Sequence, residues 1–94
     1  MSENVLYVVN DLHSARDFLS NYKKPVELIN AKGSTRYYGM LIINYMFKTL
    51  QKEFPQVVKI TVDADGDNSA LLTALKLGFK YIKFNNTKIS IDLC

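Results

Sequence analysis

Val5-Leu6-Tyr7-Val8-Val9 is an almost wholly apolar run dominated by β-branched residues, which is how a strand covered on both faces reads. Leu12, Ala15, Leu19 and Tyr22 then recur at steps of three and four, one stripe of an amphipathic helix. Asn10 and Asp11 precede it as candidate caps, and Pro25 stops it after Lys23 and Lys24 have placed positive charge at its end. Val26-Glu27-Leu28-Ile29 is a second strand, and residues 31–39, holding Gly33, Ser34, Thr35 and Gly39, read as a loop. The helical period returns near Tyr38 and runs to Phe54, ahead of Pro55. Ile43, Phe47, Leu50 and Phe54 are its dry stripe, and Lys48, Gln51 and Lys52 its wet side.

Val57-Val58-Lys59-Ile60-Thr61-Val62 is a third strand, followed by the loop Asp63-Ala64-Asp65-Gly66-Asp67-Asn68. A third helix carries Leu71, Leu72 and Leu75 and finishes at Leu77-Gly78, with glycine where a left-handed residue ends a helix. Residues 79–84 form a fourth strand. The tail changes period: Lys88-Ile89-Ser90-Ile91-Asp92-Leu93 alternates strictly, as a strand with one dry and one wet face does, and Asn85-Asn86-Thr87 suits a tight turn. Residues 80–93 therefore read as a hairpin. The sum is an α/β fold: a small, mainly parallel four-stranded βαβαβαβ sheet with a C-terminal antiparallel edge strand. Right-handed crossovers allow a half-barrel order, 1-2-3-4, and a flavodoxin-like order, 2-1-3-4.

The 94 residues, 48% hydrophobic and 22% charged, make one domain, 1–94, and exclude a disordered tail or a coiled-coil rod. The single cysteine, Cys94, excludes an internal disulfide framework and a cysteine-based zinc site. No run is long and apolar enough to span a membrane, and Met1-Ser2-Glu3-Asn4 opens no secretory signal, so a cytoplasmic protein is expected. The net charge of +3 is carried almost wholly by scattered lysines, with arginine only at Arg16 and Arg36. A nucleic-acid footprint would gather these on one face with stacking aromatics, so no nucleic-acid partner is expected.

Ligand loops of a parallel sheet gather at the carboxyl ends of its strands. Residues 10–13, 31–39 and 63–69 should share that rim. Lys32, Gly33, Ser34, Thr35 and Arg36 offer a glycine and several donors to an anion, without the spacing of a Walker loop. Asp63 and Asp67 face them across the rim in this reading, so the expected ligand is small and anionic. No cofactor is required, with a divalent cation at Asp63, Asp65 and Asp67 as the exception. Carboxylates at alternate positions repel unless a cation, a basic partner or water relieves them. A calcium loop would want Gly and Glu where Asn68 and Ala74 stand. The bland alternative is that Asp67 or Asn68 caps the third helix while Asp63 and Asp65 are hydrated or paired with Lys32 or Arg36. His13, the one histidine, is a conceivable base with Asp11 or Asp63 as its orienting carboxylate. Asn10, Asp11 and Asp63 also occupy the places of the acidic pocket in response-regulator receiver domains, a likeness of fold alone.

The second helix is apolar over an arc wider than one sheet face needs. Leu41, Ile42, Tyr45 and Met46 are its surplus, and an adhesive patch of this kind marks an interface. A homodimer is the expected assembly.

Lys24-Pro25-Val26-Glu27-Leu28, followed by Ala31-x-Gly33 and Tyr37-x-Gly39, resembles a family of short, uncharacterised alphaproteobacterial proteins. In that family a Pro-Val-x-Leu strand leads to a Ser-Ala-Pro-Gly…Tyr-Ala-Gly loop. The likeness continues through Phe54-Pro55, Asp63-x-x-Gly66-Asp67 and Ala74-Leu75-x-x-Gly78-Phe79, over residues 5 to 85. The chain departs at Asn30 and Lys32, where the family tends to have Ser and Pro. It also has one extra residue and no Cys in the acidic loop, and strand 88–93 replaces a C-terminal helix. The resemblance implies the βα architecture, marks the Gly/Tyr and Asp loops, and brings no activity. The chain also looks like a fragment of a (β/α) barrel, which suits pairing of two chains. The favoured function is a self-associating domain that takes a small anionic ligand at its rim. The alternative is a metal-dependent enzyme acting on a phosphorylated metabolite.

Overall fold

A computed structural model describes residues 5–37, 39–84 and 87–90. Strand β1 (Val5–Val9), helix α1 (Leu12–Asn21), strand β2 (Val26–Asn30), the short helix α2 (Ser34–Tyr37) and helix α3 (Met40–Glu53) open the chain. Strand β3 (Val57–Asp63), helix α4 (Asn68–Lys76) and strands β4 (Tyr81–Phe84) and β5 (Thr87–Ser90) complete it. The first four strands pair in parallel in the order β1-β2-β3-β4, and β5 runs antiparallel beside β4. The flavodoxin-like order is thereby corrected: every crossover moves one strand onward in the same direction. The predicted strand segment 91–93, the turn residues Asn85 and Asn86, and Cys94 lie outside the described residues.

A sheet wound in one direction places its crossover helices on one face, and the burial pattern agrees. Val9, Val26, Leu28, Val62 and Ile82 point the same way by register and form one core with Ala15 and Leu19 of α1, Ile43, Phe47 and Leu50 of α3, and Ala70 and Ala74 of α4. Tyr7 adds to it by stacking on Phe18 with 4.4 Å between ring centroids. Of the alternate residues, Ile29, Thr61 and Asp63 in the central strands are buried, whereas those of the edge strand β1 are open. Leu6 is 54% and Val8 44% exposed, which corrects the reading of β1 as covered on both faces. Behind them, Glu27 of β2 meets Lys59 of β3 at 3.7 Å, and the Lys59 ammonium lies 4.4 Å from the Tyr81 ring centroid.

The helix ends follow local chemistry. Asp11 caps α1 by accepting the Ser14 N–H at 2.7 Å, and Asp67 caps α4 by accepting from Ser69 and Ala70. Helix α4 ends in a Schellman turn: Gly78, at φ +87°, donates to the Leu75 carbonyl, and Phe79 donates to that of Ala74. The last turn of α1 is finished from a distance. Gln56 Nε2 donates to the carbonyls of Leu19 and Tyr22 at 2.8 and 2.9 Å, while its own carbonyl accepts the Val26 N–H. Within 31–39, read as loop, residues 34–37 form α2.

Candidate functional site

The rim at the carboxyl ends of β2 and β3 is held by Asn30, a buried amide at the end of an otherwise apolar strand. Its Nδ2 donates to the Asp63 carbonyl at 3.0 Å and to Ser34 Oγ at 2.8 Å, and its Oδ1 accepts the Asp63 N–H at 2.6 Å. One side chain thus ties β2, β3 and α2 together. Sequence reasoning passed over Asn30; the signal available was a lone amide closing an apolar strand, a polar group that burial obliges to find partners.

The aspartate loop folds tightly on this anchor. Asp63 Oδ1 accepts the Asp65 N–H at 2.8 Å, and the Asp67 N–H closes a turn onto the Ala64 carbonyl. Asp65 and Gly66 both have positive φ, +49° and +71°, the type I′ geometry for which Asp-Gly is suited. Gly33, at φ +82°, lies against this loop: a Cβ built on it would stand 3.9 Å from Asp65 Oδ2. The glycine bend and the aspartate bend are neighbours.

The predicted ligand residues divide. Ser34 and Asp63 are buried in the Asn30 network, Lys32 is exposed, and the side chain of Arg36 lies outside the described residues. Thr35 and Asp67 line a cleft of about 470 Å³ between α2, the start of α3 and the start of α4. Leu41 and Ile42 border the same cleft. Helix α3 opens on Gly39, at φ +80°, without a side-chain cap, and Thr35 Oγ1 is buried without a hydrogen-bond partner among the described residues.

Among the described residues no group of three or more His, Cys, Asp or Glu is placed to hold a metal ion. The aspartates serve the backbone locally. Asp63 spends an oxygen on the turn and Asp67 an oxygen on the helix cap, so the bland alternative for Asp67 is what the chain adopts. His13 is exposed, and the Asp11 carboxylate is occupied by the N–H and Oγ of Ser14. Those bonds, the Ser14 N–H foremost, hold the Asp11 pKa below the usual carboxylate value.

The predicted interface divides as well. Leu41 and Tyr45 are 71% and 63% exposed and Ile42 is half exposed, whereas Met46 is 8% exposed and belongs to the core. Met46 drops out of the patch because it lies on the side of α3 that carries Ile43, Phe47 and Leu50 into the core. No helix among the described residues is long and apolar enough to cross a membrane.

No family model matches the chain, and no solved structure matches it at a significant level. A protein of Rickettsia prowazekii (strain Madrid E), described as "Uncharacterized protein RP547", is 48% identical over 80 residues, covering 84% of this chain and 76% of the relative. That relative is itself uncharacterised. The chain belongs to the family of this uncharacterised rickettsial protein.

Proposed function

We propose that the protein is a self-associating α/β module whose second copy covers the bare face of the sheet. The observation that carries this reading is that α1, α3 and α4 share one face while Leu6 and Val8 stand exposed on the other. Parallel strands are found almost always with both faces covered. The bare face also carries both signs of charge, Glu27 against Lys59 and Lys83. Such a face is complementary to itself about a twofold axis and not to a partner of a single sign. The reading is of a half-barrel order whose β4 edge is taken by the antiparallel β5, so two copies stack face to face rather than close a ring.

Sedimentation equilibrium tests it. A dimer is expected at micromolar concentration, with Leu6→Glu plus Val8→Glu giving a folded monomer and Leu41→Glu plus Tyr45→Glu leaving the dimer intact. A wild-type monomer at millimolar concentration refutes self-association. A dimer broken only by the α3 variants moves the interface to the helix patch.

The rim cleft supports a second reading, in which a small anion binds there. The observation that favours it is the Thr35 hydroxyl, buried without a partner among the described residues beside the start of α3, which has no side-chain cap. Thr35→Val should then abolish an anion-induced rise in melting temperature while leaving the unliganded melting temperature nearly unchanged. An equal rise in Thr35→Val rejects the cleft.

A further inference from the structure

At the opposite end of the sheet from the rim, β4 starts late. Its first residue, Tyr81, pairs with Thr61, so 57–60 of β3 have no strand on that side among the described residues. A notch of about 380 Å³ opens there, within the size range of small-molecule sites. Helix α3 roofs it with Asn44, Lys48 and Gln51, the free edge of β3 supplies Lys59, and the Schellman turn after α4 supplies Phe79 and Lys80. Phe79 is fixed there by its N–H bond to Ala74 and by an edge-on contact with Phe47, 6.0 Å between centroids.

The chemistry of this lining is one-sided. Three lysines and two side-chain amides converge, and no Asp or Glu is among the lining residues. The one acid that approaches is Glu27, which meets Lys59 from the neighbouring strand at a long 3.7 Å with both side chains partly exposed. Such a pair is weak. Gathering like charges around a concave surface costs free energy unless an anion relieves it. Rigid backbone, an aromatic wall and compact ammonium charges suit a phosphate group carried on a small organic body.

We propose that this notch binds a phosphate-bearing small molecule, with Lys48, Lys59 and Lys80 as its charge contacts and the Asn44 and Gln51 amides and the free edge of β3 as its polar frame. The site shares Lys59 with the proposed self-association face and is separate from the rim cleft.

The test is an amide-resonance titration of the ¹⁵N-labelled protein with inorganic pyrophosphate and, in parallel, with adenosine monophosphate and citrate. Saturable shifts are expected at Gly78, Lys80, Val58 and the side-chain amides of Asn44 and Gln51. Lys48→Gln plus Lys80→Gln should weaken pyrophosphate binding about tenfold or more, whereas Lys23→Gln plus Lys24→Gln leaves it unchanged. A dispersed spectrum of each variant certifies the fold. Shifts that do not saturate, or that fall at Gly39 and Ser69 instead, overturn the proposal, as does equal weakening by the two lysine pairs. Citrate binding as tightly as either phosphate compound overturns the assignment to phosphate.

Discussion

Asn30→Ala should be the most costly polar substitution at the rim. The wild-type amide makes three short bonds, two to the Asp63 backbone and one to Ser34 Oγ, all within buried surroundings. Truncation removes them and leaves the Asp63 N–H and carbonyl without partners. A net hydrogen bond is worth about 0.5–1.5 kcal/mol and a stranded buried group costs about 1–3 kcal/mol. Water entering the space from the rim recovers part of that, so the expected loss is about 2–4 kcal/mol. Against a domain stability of about 5–15 kcal/mol this is a large fraction. Urea unfolding should show the midpoint falling with an unchanged slope, and the Asp63 amide should lose its protection from hydrogen exchange. Asn30→Asp should be worse than Asn30→Ala at neutral pH. It keeps the acceptor, loses both donors and buries a charge near Asp63. A loss below about 1 kcal/mol for Asn30→Ala, or Asn30→Asp no worse than Asn30→Ala, would show that the rim does not depend on this amide.

Gly78→Ala should destabilise by about 1–2 kcal/mol through backbone strain alone, since φ is +87° while nothing lies within 4 Å of the added methyl. A thermal melt checks it, and a stabilised variant would contradict the Schellman geometry. Asp67→Ala should cost about 1 kcal/mol by removing the α4 cap, and Asp67→Asn only part of that, measured by urea unfolding. Stability should also fall in acid. The Ser14 N–H bond to Asp11, and the Arg16 bonds to Glu53 at 2.9 and 2.7 Å, depress both folded carboxylate pKa values below their unfolded ones. Their stabilisation is complete above the unfolded values and is lost as pH falls through the lowered folded ones, from about pH 5 downward. Urea midpoints measured across that range should decline less steeply in Asp11→Asn and Glu53→Gln than in the wild type.

The parts of this molecule legible in its sequence are those decided by neighbours along the chain. The stripe Ile43-Phe47-Leu50 named the core face of α3, Asp11 stood among the candidate caps of α1 and Gly78 marked the end of α4, because periodicity, caps and positive φ are local properties. The long-range pairings were not legible. Asn30 closes β2 onto β3 across 33 positions, and Gln56 closes the end of α1 across 37; a lone amide after an apolar strand hints that Asn30 needs partners, but the letters name none of them. Strand order was ambiguous for the same reason, since both candidate orders share one hydrophobic pattern. That ambiguity produced the misreading of β1. Val5-Leu6-Tyr7-Val8-Val9 is apolar on both faces, which implies a cover for each, yet sequential winding leaves the face of Leu6 and Val8 without a helix. The composition of β1 and the topology of the sheet therefore disagree within one chain. The proposed second copy on that face would reconcile them, giving the second apolar side of the strand the cover that the fold itself does not supply.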